Sequence, residues 1–487
     1  MRIWLLVTIC LLASPSLAAS EVRLDKVDID LPHPVNGSLL VMPERQQLFV
    51  SGFNQFERWL SQISLSDFSV NQVAIPSQAQ FFTHATLAQQ KNEQLVFFTT
   101  EGISWLSETG EIKPLVQSGS LYRVVDSARL REQDFVVNFG SELSDFILPD
   151  FNHLQLFRQQ TDGNFIHFPL KVPALVRSWN DNPNYQPRPY YVLDVNADNK
   201  LDLVVILEGQ FYTFLQQSDA SFLTTAQKLD WPLRVSTEQE ADQRNDAGDT
   251  YAGKNIDSLA KIIDIDGDGI VDIVIEREQF INALERKTSF RVHFGQQTAK
   301  GIRFNSEPDT TINTNSSPID VKIADINGDG KQDFYIASTH FGVGTIIRVL
   351  LRGSARLDVD FYLLDANRRY KNKADFRQAA TIDVSIGNFR FDMPLLQLVD
   401  LNADSKRSLV LGDGNDKLQF YMPDNKRLFQ RSGIELKVGL PRDAKQVKVL
   451  DLNNDKKDDI ILPFSSYDND EQRNHIILLL SKSNEKS

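Results

Sequence analysis

The chain is predicted to be all-β, a single β-propeller of seven or eight four-stranded blades, eight being the preferred count, with acidic loops between the first two strands of the C-terminal blades. Three observations lead there. Five acidic segments of one pattern recur through residues 192–463, each followed by a short aliphatic run. Residues 20–130 lack that pattern but keep the same cadence of short strands. The last repeat ends one strand short, and a strand-like segment at 22–31 is available to complete it.

Composition narrows the class first. The 487 residues are 41% apolar, enough for sizeable cores and too much for general disorder. One cysteine excludes a disulfide framework and a cysteine-based zinc site. Acidic side chains outnumber basic ones by 65 to 52, a net charge of −13. Such a chain suits neither nucleic acid nor anionic lipid as a partner. Residues 1–19, MRIWLLVTICLLASPSLAA, read as a secretory signal peptide. Arg2 opens it, an apolar run spans Ile3 to Ala13, and Ser16 and Ala18 place cleavage near Ala18 or Ala19. The run is too short for a membrane span, and no later run approaches the roughly 20 apolar residues a span needs. The expected product is a secreted or periplasmic, monomeric propeller over residues 20–487, free of cysteine.

The five acidic segments are VLDVNADNKLDLVVI (192–206), IIDIDGDGIVDIVIE (262–276), IADINGDGKQDFYIA (323–337), LVDLNADSKRSLVLG (398–412) and VLDLNNDKKDDIILP (449–463). Each carries D-x-[DN]-x-D after an apolar lead-in, and four of the five add Asp at position 9, where the fourth segment has Ser408. A degraded sixth copy at 136–149 keeps only Asp145 at that last position. Oxygens at positions 1, 3 and 5 of a tight loop converge on one hard cation; position 7 can add a backbone carbonyl and position 9 a carboxylate. Calcium accepts six to eight oxygens in such flexible arrangements, whereas magnesium prefers a rigid octahedron that keeps its waters. Gly267, Gly269, Gly328 and Gly330 supply the positive φ of a sharp turn. EF-hand loops begin alike but need an acid at position 12 and a departing helix. Position 12 is here Val205, Ile275, Ile336, Leu411 or Leu462, inside runs that read as strands. The loop therefore joins two strands.

Blades follow from the loops. In one repeat the strands are expected at 319–324, 333–338, 345–352 and 357–364. Residues 37–42, 46–52, 57–63, 67–75, 79–86, 93–99 and 102–106 would build two blades without ions. With the degraded copy and the five intact ones, the count is eight. The last repeat supplies 446–451, 458–463 and 475–481, and VRLDKVDIDL (22–31) would close the ring as its outer strand.

With these loops in view, the sequence resembles the bacterial FG-GAP/VCBS repeat family, which is related to the β-propeller of integrin α-subunits. The likeness covers about 190–463 and is weak over 20–190. Phe-Gly pairs survive as Phe294-Gly295 and Phe341-Gly342, while the Gly-Ala-Pro part is missing, which favours the VCBS-type branch. The resemblance implies calcium ligation by Asp194, Asn196, Asp198 and Asp202, by Asp264, Asp266, Asp268 and Asp272, and by Asp325, Asn327, Asp329 and Asp333. It adds Asp400, Asn402 and Asp404, then Asp451, Asn453, Asp455 and Asp459. Up to five ions are expected, the Asp400 loop being the weakest. It also implies a ligand-binding, protein-interaction or adhesion module.

Three connections, 172–190, 230–257 and 366–394, are long and are expected together on the face opposite the acidic loops. The first carries Arg177, Trp179, Tyr185, Arg188 and Tyr190; the third carries Arg368, Arg369, Tyr370 and Arg377. Aromatic and arginine side chains of this kind anchor protein interfaces and stack on sugars, so an unknown protein or polysaccharide is the expected partner. No H-E-x-x-H, G-x-S-x-G, P-loop or G-x-G-x-x-G occurs, and the seven histidines show no ligand spacing. An extracellular polysaccharide lyase or hydrolase on a propeller scaffold is the alternative, and an envelope-assembly factor without a small ligand is a third.

Overall fold

The computed structural model describes residues 23–482 except 55–56, 125–129, 180–181, 238–239, 241–252, 282–285, 315–316, 340–353, 386–389, 392–394, 466–467 and 470. Eight antiparallel blades form a ring. Blade 1 is Leu39–Met42, Gln47–Phe53, Arg58–Ser64 and Val70–Gln72. Blade 2 is Ala79–Ala85, Gln94–Thr99, Gly102–Leu106 and Ile112–Gln117, with the short Arg131–Glu132 parallel to its inner strand. Blade 3 is Val136–Val137, Asp145–Pro149, His153–Gln159 and Phe165–Lys171. Blade 4 is Tyr190–Leu193, Asp202–Leu207, Gln210–Phe214 and Gln227–Lys228. Blade 5 is Asn255–Ile263, Asp272–Phe280, Arg286–His293 and Thr310–Thr314. Blade 6 is Ser317–Ala324, Asp333–Thr339, Ser354–Tyr362 and Phe376–Ser385, and Arg390–Phe391 adds to its outer edge. Blade 7 is Leu396–Val399, Ser408–Asp413, Lys417–Tyr421 and Ile434–Lys437. Blade 8 is Lys448–Leu450, Asp459–Pro463, His475–Ser481 and, from the other end of the chain, Leu24–Asp30.

The first strand thus completes the last blade, as the chain ends suggest. It pairs antiparallel with His475–Ser481 from Leu24↔Ser481 to Asp30↔His475. His475 adds a side-chain clasp, its Nδ1 2.8 Å from Asp30 Oδ1 and its Nε2 3.0 Å from Asp28 Oδ1.

The cores lie between blades rather than within them. A four-stranded sheet has two faces, and in a propeller each face buries against its neighbour. Val410, Phe420, Leu462 and Phe464 fill the joint of blades 7 and 8. Ile29, Leu39, Leu48, Ile461 and Leu478 fill that of blades 8 and 1, so the seam is packed like the other joints. The bulky aromatics between blades 2 and 3, including Phe81, Phe98, Phe135 and Phe146, occupy a joint with no acidic loop.

Blade 6 departs from the expected parse. The expected strand at 345–352 lies outside the described residues. The segment expected as the fourth strand is the third: Ser354–Tyr362 pairs directly with the second strand, for example Phe334↔Tyr362. The fourth strand is Phe376–Ser385, inside what reads as the 366–394 loop. Its sequence FRQAATIDVS lacks the dense apolar run that marks an inner strand, and residues 376–380 are half-buried or exposed. The 172–190 connection is also structured, as a hairpin of Leu175–Trp179 with Asn182–Gln186. Among the described residues, no helix is long and apolar enough to cross a membrane.

Candidate metal centres

All five acidic loops share one conformation. The position-1 carboxylate folds back to accept N–H bonds from the loop it begins. Asp194 Oδ1 takes Ala197 N at 2.8 Å and Oδ2 takes Asn199 N at 2.8 Å. Asp264 does the same with Gly267 and Gly269, both at 2.8 Å. Asp325 accepts from Gly328 at 2.7 Å and Gly330 at 2.9 Å. In the remaining two loops Asp400 Oδ2 accepts from Ser405 at 2.8 Å and Asp451 Oδ2 from Lys456 at 2.7 Å. The position-5 carboxylate accepts the position-7 N–H in every loop, from Lys200 (3.0 Å), Ile270 (2.9 Å), Lys331 (3.0 Å), Lys406 (3.0 Å) and Lys457 (2.9 Å). Positions 3 and 5 are likewise linked in four loops, as Asp198 N to Asn196 Oδ1 at 3.1 Å and Asp455 N to Asn453 Oδ1 at 3.0 Å.

The backbone reason is a pair of left-handed residues at positions 4 and 6. Glycine fills them in the Asp264 and Asp325 loops, with φ between 77° and 82°. Elsewhere they are Ala197 and Asn199, Ala403 and Ser405, or Asn454 and Lys456, with φ from 59° to 68°. Residues with a Cβ adopt this region at a cost of about 1–2 kcal/mol each, so the carboxylate bonds are holding a conformation these residues do not prefer. Gly267 has a second constraint, because a Cβ there would lie 2.9 Å from the Gly330 carbonyl of the next loop.

Position 9 does a different job. Asp202, Asp272, Asp333 and Asp459 are fully buried, at 0% exposure. One oxygen of each accepts the position-2 N–H of its own loop: Val195 (3.2 Å), Ile265 (2.7 Å), Ile326 (3.2 Å) or Leu452 (3.0 Å). The other accepts an N–H at or just beyond the end of the third strand: Gln216 (2.8 Å), Gly295 (2.8 Å), Leu364 (3.0 Å) or Ser481 (2.7 Å). Each carboxylate therefore ties its loop to the blade. Burial pushes these carboxyls up, to about 6 for Asp202 and Asp459 and about 7 for Asp272 and Asp333, against the pull of their N–H donors.

Asp145 of blade 3 occupies the same place. It too is fully buried, and its Oδ1 accepts Gln159 N at 2.8 Å. Its Oδ2 takes Arg158 Nε at 3.0 Å in place of a loop N–H. The Arg158 guanidinium lies over Phe139 and Phe222, 5.5 and 5.7 Å from their ring centres. Blade 3 has thus lost the acidic loop and kept its brace, with an arginine as partner. In blade 7 Ser408 stands at the brace position and reaches only Met422 Sδ, at 3.5 Å.

Adjacent loops are joined in series. Gln332 N donates to Ile265 O at 2.7 Å, and Asp458 N to Asp400 O at 2.8 Å while Asp458 Oδ2 accepts Asp400 N at 2.7 Å. The loop of blade 4 is instead covered by a hairpin of blade 5, through Ile302 N to Val195 O at 3.1 Å.

The residues present fit a hard cation. Asp264, Asp266 and Asp268 offer carboxylate oxygens that all lie within 4.8 Å of one another. The other four loops place Asn at position 3, a neutral oxygen donor, and in three of them it holds the same hydrogen-bonded position.

The residues singled out on the long connections are mostly engaged in the fold. The 366–375 part of the third connection joins the third and fourth strands of blade 6 and lies on the acidic-loop face, since Arg368 pairs with Asp266. Tyr370 is 5% exposed and donates its hydroxyl to Gln332 O at 2.6 Å. Arg377 belongs to the fourth strand and pairs with Asp360, Nη2 to Oδ2 at 2.6 Å. Arg369 bonds the Asp309 carbonyl. Arg188 caps the carbonyls of Pro173 (3.0 Å) and Ile206 (2.9 Å), and Tyr185 packs edge-on to Phe151 at 4.9 Å. In the second connection Trp231, Leu233 and Val235 are buried between blades 4 and 5, while 238–239 and 241–252 lie outside the described residues. The side chains of Arg177 and Trp179 are also outside them.

No family model and no curated protein matches the chain. Among solved structures it is similar to an Agrocybe aegerita lectin described by its specific recognition of non-reducing terminal N-acetylglucosamine, with 14% identity over 84% of this chain and 94% of that one and a TM-score of 0.42. It is also similar to a virginiamycin B lyase from Staphylococcus aureus, with 12% identity, coverage of 82% and 96%, and a TM-score of 0.32. A third is the Dos1 propeller, with 10% identity, coverage of 93% and 95%, and a TM-score of 0.29. The eight-bladed β-propeller is read from the order of the strands in its own sheets.

Proposed function

We propose that the chain is a calcium-binding β-propeller of the periplasm or cell exterior that serves as a ligand-binding or protein-interaction module. The observation that carries the calcium part is the shared loop geometry, in which the oxygens of Asp264, Asp266 and Asp268 converge to within 4.8 Å. Side chains at positions 1, 3 and 5 would hold each ion: Asp194, Asn196 and Asp198; Asp264, Asp266 and Asp268; Asp325, Asn327 and Asp329; Asp400, Asn402 and Asp404; Asp451, Asn453 and Asp455. Asp202, Asp272, Asp333 and Asp459, which the resemblance adds as ligands, accept two backbone N–H bonds each and would support the loops from behind; the 4.8 Å convergence in blade 5 does not include Asp272. Calcium supplies the charge that lets several carboxylates share one loop. Residues 1–19, which read as a secretory signal peptide, support a location beyond the cytoplasmic membrane.

For the module role, the hairpin of Leu175–Trp179 with Asn182–Gln186 on the opposite face offers an exposed apolar side chain, Val176 at 57% exposure, to a protein or polysaccharide. Tyr370 and Arg377, singled out on the third connection, are packed or ion-paired, and no specific observation favours the lyase or hydrolase reading.

Thermal unfolding tests the calcium part. Chelation is expected to lower the melting temperature by several degrees, since a ligand at about 100 times its Kd contributes about 2.7 kcal/mol per site. Calcium should restore it better than magnesium. Equal melting in chelator and calcium would refute the reading.

A further inference from the structure

The blade-5 loop differs from its sisters in charge. It has Asp266 at position 3 where the other four loops have Asn, so its positions 1, 3, 5 and 9 carry four carboxylates against at most three elsewhere. One cation from outside the loop meets that excess. Arg368, in the segment between the third and fourth strands of blade 6, places Nε on Asp266 Oδ2 and Nη2 3.8 Å from Asp268 Oδ2.

The position of that contact is informative. Asp266 Oδ1 accepts Asp268 N at 3.3 Å, which is what Asn327 Oδ1 does for Asp329 N at 2.9 Å in the next loop. Asp266 Oδ1 is thus the counterpart of the asparagine oxygen, and Oδ2 stands where asparagine has its amide nitrogen. In the sister loop that amide, Asn327 Nδ2, donates to Asp329 Oδ2 at 3.3 Å. Arg368 bridges the same two positions in blade 5. It is also placed in advance. Its backbone is left-handed, with φ 59°, inside a turn held by Asp365 Oδ1, which accepts from Asn367 at 2.8 Å and Arg369 at 2.9 Å. Its guanidinium lies 4.3 Å from the centre of the buried Phe294 ring.

We propose that Arg368 is a resident cation of the blade-5 loop, standing in for the missing side-chain amide. It holds the loop together when calcium is scarce and, being positive, weakens calcium binding there. The proposal rests on the calcium reading above. It also makes blade 6 part of the blade-5 centre, since the loop that receives the ion and the arginine that balances it come from different blades.

The test uses Arg368→Gln, Asp266→Asn and the double variant in the full chain, with melting curves in chelator and in calcium and a calcium titration of the melting shift. Arg368→Gln is expected to melt several degrees lower than the parent in chelator. The gap should narrow by at least half in saturating calcium, and the calcium needed for half the shift should fall at least twofold. On the Asp266→Asn background, Arg368→Gln should add little, because the extra charge has gone. Equal destabilisation in chelator and calcium, or no change in either, would overturn the proposal while leaving the calcium reading intact if the parent still responds to calcium. A parent indifferent to calcium, with the chelator loss and its rescue by Asp266→Asn intact, would sink the calcium reading and keep the arginine's structural part.

Discussion

A chain lacking residues 24–31 is expected to lose cooperative folding and to aggregate. That segment contributes seven register pairs to His475–Ser481, from Leu24↔Ser481 to Asp30↔His475. It also brings Ile29 and Leu31 into the joint where Leu39, Leu48, Ile461, Ile476 and Leu478 meet. Without it, the strand HIILLLS becomes a flat, apolar, unpaired edge, the kind of surface that pairs with other chains. Ring closure is what removes such edges in a propeller. The single-residue version is Ile29→Ala, at a position 3% exposed. It should cost about 2–5 kcal/mol, the range for truncating a buried aliphatic side chain. Denaturant unfolding and size-exclusion chromatography read both variants. A truncated chain that stays monomeric and unfolds cooperatively at the parent's midpoint would show that the seam does not carry the ring.

The second large effect belongs to the buried brace. Replacing Asp333 by Ala should destabilise by about 2–6 kcal/mol, because the N–H groups of Ile326 and Leu364 both lose their acceptor and each buried orphan costs about 1–3 kcal/mol. Asp333→Asn keeps one acceptor oxygen and should fall between. Asp145→Ala in blade 3 is the matched control, since it has the same brace without the acidic loop before it. Its loss should be the same in chelator and in calcium, whereas that of Asp333→Ala should be larger in calcium, where the parent gains the ion's contribution. A loss below about 1 kcal/mol for Asp333→Ala would mean that the two N–H groups find other partners.

Much of this architecture is legible in the residues, for a physical reason. The D-x-[DN]-x-D pattern is local, and a loop of eight residues between two strands is closed by its own first carboxylate. The same locality makes the strand cadence of blades 1 and 2 readable, and the closure of blade 8 is readable although its strands are far apart, because the last repeat is one strand short and the first strand has no blade of its own. What escapes is set by contacts between distant segments. Nothing near Arg368 announces Asp266, about a hundred residues earlier. Nothing near Asp145 except its alignment with the later copies announces that Arg158 completes its brace. Ala197, Ala403 and Lys456 adopt the left-handed conformation for which glycine is the usual signal, so a reading that waits for glycine sees two loops where there are five. The outer strand of blade 6 is missed because outer strands bury one edge only, and the alternation that marks an inner strand fades there.

The central claim is that these loops are cation sites, and counting bound calcium tests it most directly. The full chain, freed of metal by chelation and exchanged into metal-free buffer, would be titrated with calcium by calorimetry and weighed by native mass spectrometry. The expected result is more than one ion and at most five, with dissociation constants of about 10⁻³ M or tighter, as in extracellular calcium modules. One fewer ion is expected for Asp325→Asn, which removes the carboxylate around which its loop is wound. A chain that takes up no calcium at about 10 mM, with loops and blades intact by circular dichroism, would contradict the claim.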